Sequence, residues 1–420
     1  KRPRCNQIQT STCERALLMA SASGRPLEGR EKRDLQAIFF LFGLGVMCLA
    51  PRLPDIKENL DVSTTIFGLV NISGSIGALC AHLTMGHIVH RLGVFKVCVT
   101  SAVMTYVTIG ILIELKSALI YTIVNIICGF AWASYHISIN AQALHRQSES
   151  GTQVIPMLHG LWTAGAVATA FIALLISSSV SLNWHIYPLI SIVLLLKLRA
   201  FNRLKPVLLS GNEVTEDDEI VTFGKMVRSF SIDWVVSLGF LFALLLEMAM
   251  GDWATILARQ EFGVSKSLAV IPYFLFMSSM IIGRLTYSRI KGNRSDKEMV
   301  QPFVVMGGVI FLTSLFLGLE LKETNLYLGY AIFCIGSLLC GIGISFVGPL
   351  FFGYASARSN KPGGVAIAEL GAVNQVLTLG ARSIISVVAG VASLPIALII
   401  PGVALILVAF FVAAASQPKK

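Results

Sequence analysis

The chain has 420 residues and a net charge of +10, and 55% of its residues are hydrophobic while only 13% are charged. Soluble domains usually carry about a quarter charged residues, so this composition excludes a water-soluble globular protein. The positive charge alone would suit a nucleic-acid ligand, but its distribution along the chain indicates membrane topology and no nucleic-acid partner.

The apolar residues form runs long enough to cross a bilayer, which takes about 20 residues as a helix. Lipid offers the backbone no hydrogen-bond partners, so such runs must be helical. We therefore predict an all-α membrane protein with twelve transmembrane helices in two six-helix halves related by pseudo-two-fold symmetry. The predicted spans are 35–53, 64–87, 97–114, 118–140, 156–178, 183–198, 232–254, 267–287, 301–320, 326–350, 365–391 and 394–415.

The basic residues orient these spans. Most of the 33 Lys and Arg residues fall on the side of the termini, which the positive-inside rule assigns to the cytoplasm. The opposite side holds Arg52, Lys57, Lys116, Arg259, Lys266 and Lys322. We expect a multi-pass protein of the cell membrane with both termini cytoplasmic. The predicted domains are a cytoplasmic tail (1–34), an N-terminal half (35–198), a cytoplasmic linker (199–230) and a C-terminal half (231–420).

Short motifs recur in equivalent places of the two halves. Arg146 follows span four as Arg358 follows span ten, and Cys128-Gly129 recurs as Cys340-Gly341 at the same offset. Each of the second and eighth spans also starts at a Val-Ser pair whose serine, Ser63 or Ser265, is placed to cap a helix. A shared offset favours duplication, and parallel repeats are an established transporter plan.

The turn between spans two and three reads Gly86-His-Ile-Val-His90-Arg91-Leu-Gly93-Val-Phe-Lys96. It resembles the cytoplasmic loop signature of the major facilitator superfamily, with Gly86, Arg91 and Gly93 matching and His90 in place of the family's Asp. The segment 283–292 is a looser echo in the second half.

Further local matches point to a bacterial branch of that superfamily related to fucose permease and other sugar transporters. They are Pro51-Arg52-Leu-Pro54-Asp55, His159-Gly-Leu-Trp162, Glu247 with Asp252-Trp253, and Gly348-Pro349. The resemblance covers roughly residues 35–415. It implies the fold, a transport function and a gating loop formed by Gly86, Arg91 and Gly93.

Polar and aromatic residues form stripes inside several spans. In span four, Trp132, His136 and Asn140 share one helical face, and His159 and Trp162 begin span five. Rings that cover the apolar face of a sugar, beside amides that bond its hydroxyls, are what a polyol site needs. The candidate substrate-binding residues are Asn71, Trp132, His136, Asn140, His159, Trp162, Gln375 and Thr378. The alternative is that these side chains only pack helices together.

Two ionisable residues lie deep in the C-terminal half, Glu247 in span seven and Arg382 in span eleven. A buried carboxylate must be paired or protonated, and an unpaired charge in hydrocarbon costs several kcal/mol. We therefore predict that they form an intramembrane ion pair that serves proton coupling. The alternative is a purely structural pair that fixes helix packing. Asp252 is assigned to the solvated end of its span.

The chain contains no Walker A phosphate loop, no metal-ligand spacing and no catalytic motif in a loop, so we predict no enzyme, no cofactor and no metal. The predicted function is secondary active transport of a small polar solute, a sugar or sugar-like compound, by alternating access with proton coupling. The expected partners of this monomer are its small-molecule substrate, the lipid bilayer and H⁺. The alternatives are an efflux carrier for lipophilic compounds, a non-transporting membrane sensor, and a membrane-embedded enzyme that would use His136, His159 and His185.

Overall fold

The structure, a computed structural model, describes residues 29–150, 154–211, 231–360 and 363–417. The described residues form helices and connecting turns. The α-helices run over Gly29–Val46, Leu53–Leu60, Thr64–Ile72, Gly74–Leu112, Ala118–Ser150, Ile155–Ile176, Leu182–Leu204, Trp234–Glu261, Ile271–Lys291, Asp296–Lys322, Leu326–Ile344, Val347–Ala357, Gly363–Val391, Leu394–Ala397 and Ile399–Ala415. Short 3₁₀ segments occur at Met47–Arg52, Lys205–Val207 and Leu268–Val270.

Eleven helical stretches in these residues are long and apolar enough to cross a membrane. One of them, Thr64–Leu112, has 49 residues, which at 1.5 Å per residue would measure about 74 Å. A hydrocarbon core is about 30 Å thick, so this stretch is long enough for two crossings. Its backbone breaks at Gly93, where φ is 78° and ψ is 159°, and the described chain therefore makes twelve crossings, as predicted. They are called spans one to twelve in chain order, with spans two and three on either side of Gly93.

Several predicted boundaries were wrong because helices continue past the apolar core into the polar ends of their spans. Span seven continues from Trp234 to Glu261, and span six from Leu182 to Leu204 despite Pro188 inside it. The first helix begins at Gly29, inside the predicted tail. Residues 1–28 of that tail and 212–230 of the predicted linker lie outside the described residues.

The ends of the spans meet through ion pairs at one end of the bundle, here called the linker end. Arg203 pairs with Asp34 and joins spans six and one. Arg146, in the last turns of the span-four helix, pairs with Glu31 in the first turn of span one at 2.8 Å. Arg358, which follows span ten, pairs with Asp233 before span seven at 2.9 Å. The two recurring arginines thus make the same connection in each half.

The recurring Cys-Gly pairs also take equivalent positions. Gly129 of span four lies so close to the backbone at Gly74 of span two that a Cβ would not fit. Gly341 of span ten meets the backbone at Phe276 of span eight in the same way. Ser63 caps its helix by accepting from the Ile66 N–H. Ser265 accepts from the Leu268 N–H in the turn before its helix, whose cap residue is Ser267. These paired contacts support the predicted duplication.

The two halves meet along span two against span eleven and span five against span eight. The end opposite the linker end, here called the far end, carries most of the polar contacts between halves. Lys266 pairs with Asp55, and Arg259 pairs with Glu58 at 3.1 Å. Ser178 and Ser267 each accept the other's backbone N–H at 3.0 Å. The far end is therefore closed by bonds that run from one half to the other.

Candidate functional site

The polar stripe of span four forms one wall of the candidate site. The rings of Trp132 and His136 stack with an interplanar angle of 4° and centroids 5.7 Å apart. One turn further, the Asn140 side-chain amide donates to the His136 carbonyl at 2.8 Å. The helical spacing of four residues is what brings these groups onto one face.

Span five supplies the adjoining wall. His159 Nε2 lies 3.1 Å from Asn140 Oδ1 and, in the tautomer protonated at that nitrogen, donates to it. The rings of His136 and His159 are edge to face, 6.2 Å apart. Asn140 therefore contacts both histidines. Their role in binding stays a prediction.

Two indole groups in this region have unused hydrogen-bonding capacity. The Nε1 atoms of Trp132 and Trp162 are buried and have no partner among the described residues. An indole N–H is a donor only, and a buried donor without an acceptor costs free energy. Both donors are therefore left without an acceptor inside the packed helices that the structure describes.

Arg284 of span eight is a site residue that the sequence reasoning missed. Its Nη1 donates to the Thr163 hydroxyl of span five at 3.4 Å, and Nη2 lies 3.7 Å from a Glu247 carboxylate oxygen of span seven. Its Nε donates to the Ser345 carbonyl at 2.9 Å. The sequence placed Arg284 in a looser copy of the loop motif, although its position inside an apolar run was a usable signal. It is a cation that contacts both halves at the middle of the bundle.

The predicted pairing of Glu247 with Arg382 was wrong. Arg382 instead pairs with Asp252, with Nε donating to Oδ2 and Nη2 to Oδ1, both at 2.8 Å. The side chains of Asp252 and Arg382 are only 13% and 17% exposed. Glu247 pairs with Arg284.

The physical reason is the length of span seven. Because its helix continues to Glu261, Asp252 lies more than two turns inside it, whereas the predicted end at 254 placed this carboxylate in solvent. Two parallel N–H···O bonds to a guanidinium are the strongest arrangement available to a carboxylate. Asp252 therefore takes the arginine that the sequence assigned to Glu247.

Span two of the N-terminal half is hydrogen-bonded to this ion pair. Asn71 Nδ2 donates to Asp252 Oδ1 at 3.3 Å, and Arg382 Nη1 donates to the Ser75 hydroxyl at 3.3 Å. The pair thus ties spans seven and eleven to span two. Asn71 was predicted to bind substrate, and here it binds the carboxylate of Asp252.

The remaining predicted residues of span eleven are not joined to the Trp132–His159 cluster by any described contact. Thr378 is buried, and its hydroxyl donates to the Asn374 carbonyl of its own helix. Gln375 is partly exposed on the neighbouring turn. Their assignment to substrate stays a prediction.

The loop between spans two and three lies at the linker end, away from this site. Gly93 adopts a positive φ that favours glycine, and the next N–H, of Val94, donates to the Leu209 carbonyl at 3.0 Å. Gln142 of span four holds the same segment, donating to the Val207 carbonyl and accepting from the Leu209 N–H. His90, which replaces the family's Asp, has a buried Nδ1 with no partner among the described residues. The segment that leaves span six therefore packs against this loop.

The far end closes over the site with alternating charges. Arg52 donates from Nε to Asp55 at 2.9 Å and from both terminal nitrogens to the Val180 carbonyl. Burial alone would lower the pKa of Lys266, but its bonds to Asp55 and the charges of Asp55 and Glu58 give a net rise. A lysine held in this way stays charged at physiological pH, so the closure persists.

Comparison of the sequence with known proteins assigns the chain to one family. A model of the Major Facilitator Superfamily matches residues 36–381. An uncharacterised MFS-type transporter of Yersinia pestis is 24% identical over 363 residues, which cover 86% of this chain and 89% of that protein.

Two solved transporter structures superimpose over nearly the whole chain. The nucleoside transporter NupG has a TM-score of 0.69 at 14% identity, covering 92% of this chain and 100% of that one. The fucose:proton symporter FucP of E. coli has a TM-score of 0.61 at 15% identity, covering 92% and 98%. At these identities the likeness shows the fold alone.

Proposed function

The chain belongs to the major facilitator superfamily, and we propose that it carries a small polar solute, a sugar or sugar-like compound, across the cell membrane by alternating access coupled to H⁺. It is a membrane transporter and not an enzyme. The proposal further places both termini in the cytoplasm and the protein in the membrane as a monomer.

The observation that carries this proposal is the composition of the candidate site, here called the substrate site. It comprises Trp132, His136, Asn140, His159, Trp162, Thr163, Glu247 and Arg284. Arg284 reaches Thr163 of the other half, beside the His159–Asn140 bond and the two free indole donors. The cation Arg284 is matched by Glu247. A site with balanced charge, ring faces and neutral hydrogen-bonding groups suits an uncharged, hydroxyl-rich solute. A nucleoside transporter and a fucose:proton symporter with the same fold support the same class of solute.

Proton coupling is proposed at Asp252 in place of Glu247. A proton that binds the Asp252 carboxylate removes its negative charge and one of the acceptor oxygens used by Arg382. The bonds from the pair to Asn71 and Ser75 connect this change to span two. Protonation from the outside and release to the cytoplasm would thus loosen and re-form a contact between the halves.

The bonds between halves support assignment of this structure to the cytoplasm-facing state. With the linker end in the cytoplasm, the closed far end is the outer side. Labelling tests this orientation directly, because Ser210 is exposed at the linker end. We expect Ser210→Cys in intact cells to resist a membrane-impermeant maleimide. Labelling from outside would contradict the topology.

The transport test begins with a thermal-shift screen of the purified protein against sugars, polyols and nucleosides. A compound that raises the melting temperature is then used, radiolabelled, in counterflow assays with proteoliposomes. We expect His159→Ala to abolish both the rise in melting temperature and the counterflow. His145→Ala changes the same residue type at the linker end of span four, where it pairs with Glu149, and is expected to leave both unchanged.

The other outcomes favour the alternatives. A compound that binds but shows no counterflow would favour a sensor. Inhibition by lipophilic dyes, with no response to any sugar, polyol or nucleoside, would favour efflux of lipophilic compounds.

A further inference from the structure

A lysine lies in the core of the N-terminal half, behind the Trp132–His136 wall of the substrate site. Lys197 of span six is 1% exposed. Its Nζ lies 3.7 Å from the ring centre of Tyr135, 4.9 Å from that of Phe42 and 5.1 Å from that of Tyr106. These three rings come from spans four, one and three, and all are buried. They are here called the lysine cage.

The cage contains no carboxylate among its described contacts. The titratable groups that face Lys197 are the two tyrosines and the Cys98 thiol of span three. An ammonium in hydrocarbon is expensive and marks a functional site by default. Ring faces compensate a cation in part, because their quadrupole is negative at the face. A methionine would fill the same apolar space without that cost, so packing alone does not explain a lysine here.

The cage is continuous with the wall of the substrate site. The Phe42 ring lies 4.6 Å from that of Tyr135, 5.9 Å from that of His136 and 6.4 Å from that of Trp132. Phe42 thus lies between Lys197 and the Trp132–His136 stack. A change of charge on Lys197 alters the cation–π attraction that holds the Phe42 and Tyr135 rings. Phe42 in turn contacts His136 and Trp132 of the substrate site.

We propose that Lys197 is a second proton-binding site of this transporter, in the N-terminal half, and that its charge sets the position of the Phe42 and Tyr135 rings at the substrate site. In the binding step the Nζ lone pair takes a proton from a hydronium ion, whose O–H bond breaks to leave water, and an ammonium forms. In the release step one N–H bond of the ammonium breaks and the proton passes to water, as hydronium, on the side to which the transporter is open. The buried hydroxyls of Tyr106 and Tyr135, on two of the cage rings, have no hydrogen-bond partner among the described residues.

The proposal rests on the proton coupling proposed above, and a measurement with protons alone separates the two. Proteoliposomes on a solid-supported membrane receive a sudden pH step without any solute, and the transient current reports charge that enters the protein. Lys197→Arg keeps a cation that does not release its proton, and Lys197→Met removes the amine. The matched control is Lys205→Met, because Lys205 is exposed on the same span's end and its Nζ lies 5.1 Å from the Phe95 ring centre.

We expect wild type and Lys205→Met to displace the same charge. Both Lys197 variants should displace about half as much if Lys197 and Asp252 contribute equally as charges within the membrane. An unchanged current in Lys197→Arg, or an equal loss in Lys205→Met, would overturn the role of Lys197. Absence of any current from wild type would overturn proton coupling itself. If Lys197→Met does not fold, Lys197→Arg alone decides the question.

Discussion

Removing the charge of Asp252 should destabilise the protein far more than removing that of Glu247, although both changes replace a carboxylate of span seven by its amide. Asp252→Asn takes away the negative charge and one of the two 2.8 Å bonds to Arg382, and it leaves a guanidinium that is 17% exposed without its counter-charge. Breaking a buried pair on one side typically costs about 3–5 kcal/mol. The Asn amide also presents a donor where Arg382 needs an acceptor.

Glu247 gives the contrasting case. Its contact with Arg284 is 3.7 Å long, with side chains 23% and 32% exposed, and Arg284 keeps its bond to the Ser345 carbonyl when Glu247 is neutral. Half-solvated pairs contribute about 0–1 kcal/mol. We therefore expect Glu247→Gln to change the free energy of unfolding by less than about 1 kcal/mol.

The assay is reversible unfolding in mixed micelles, followed by tryptophan fluorescence, on the two single variants and on Asp252→Asn combined with Arg382→Gln. The double variant should recover most of the loss, because it leaves no uncompensated buried charge. If Asp252→Asn is as stable as wild type, or the double variant is no more stable than Asp252→Asn alone, the central role of this pair is refuted.

Two further predictions follow from the two ends of the bundle. Gly93→Ala should lower the free energy of unfolding by about 1–3 kcal/mol, because alanine is strained at the positive φ of this position. The control is Gly86→Ala, where an added Cβ meets nothing within 4 Å, and it should unfold like wild type in the same assay. Equal effects of the two changes would contradict the strained turn. Lys266→Met should open the far end, seen as a longer distance between spin labels at Lys116 and Thr324 in pulsed electron resonance. Because the pKa of Lys266 is raised, the lysine stays charged up to and beyond its ordinary value of 10.5. Wild type should therefore keep the short distance from neutral pH up to 10.5. An unchanged distance in the variant would contradict the closure.

Apolar run length and spacing predicted the spans and one wall of the site, because both are local properties of the chain. Helical periodicity predicted that Trp132, His136 and Asn140 share one face of span four, and their contacts show that they do. The partner of Arg382 could not be found in this way, since it depended on how far span seven continues past its apolar residues.

Contacts between helices that are distant in sequence were the other feature that the sequence could not predict. Arg284 looked like part of a loop until span eight was seen to carry it to Thr163 and Glu247. Lys197 sat near the end of a predicted span, where a lysine ordinarily reaches water. Only the packing of spans one, three and four around it shows that it does not.

The measurement that tests the central claim most directly is solute uptake by proteoliposomes under an imposed pH gradient, acid outside, with the sugar or nucleoside found by thermal shift. The account predicts accumulation that a protonophore collapses, and for Asp252→Asn no accumulation but continued exchange of labelled for unlabelled solute. Accumulation that is indifferent to the pH gradient, or that survives in Asp252→Asn, would contradict it.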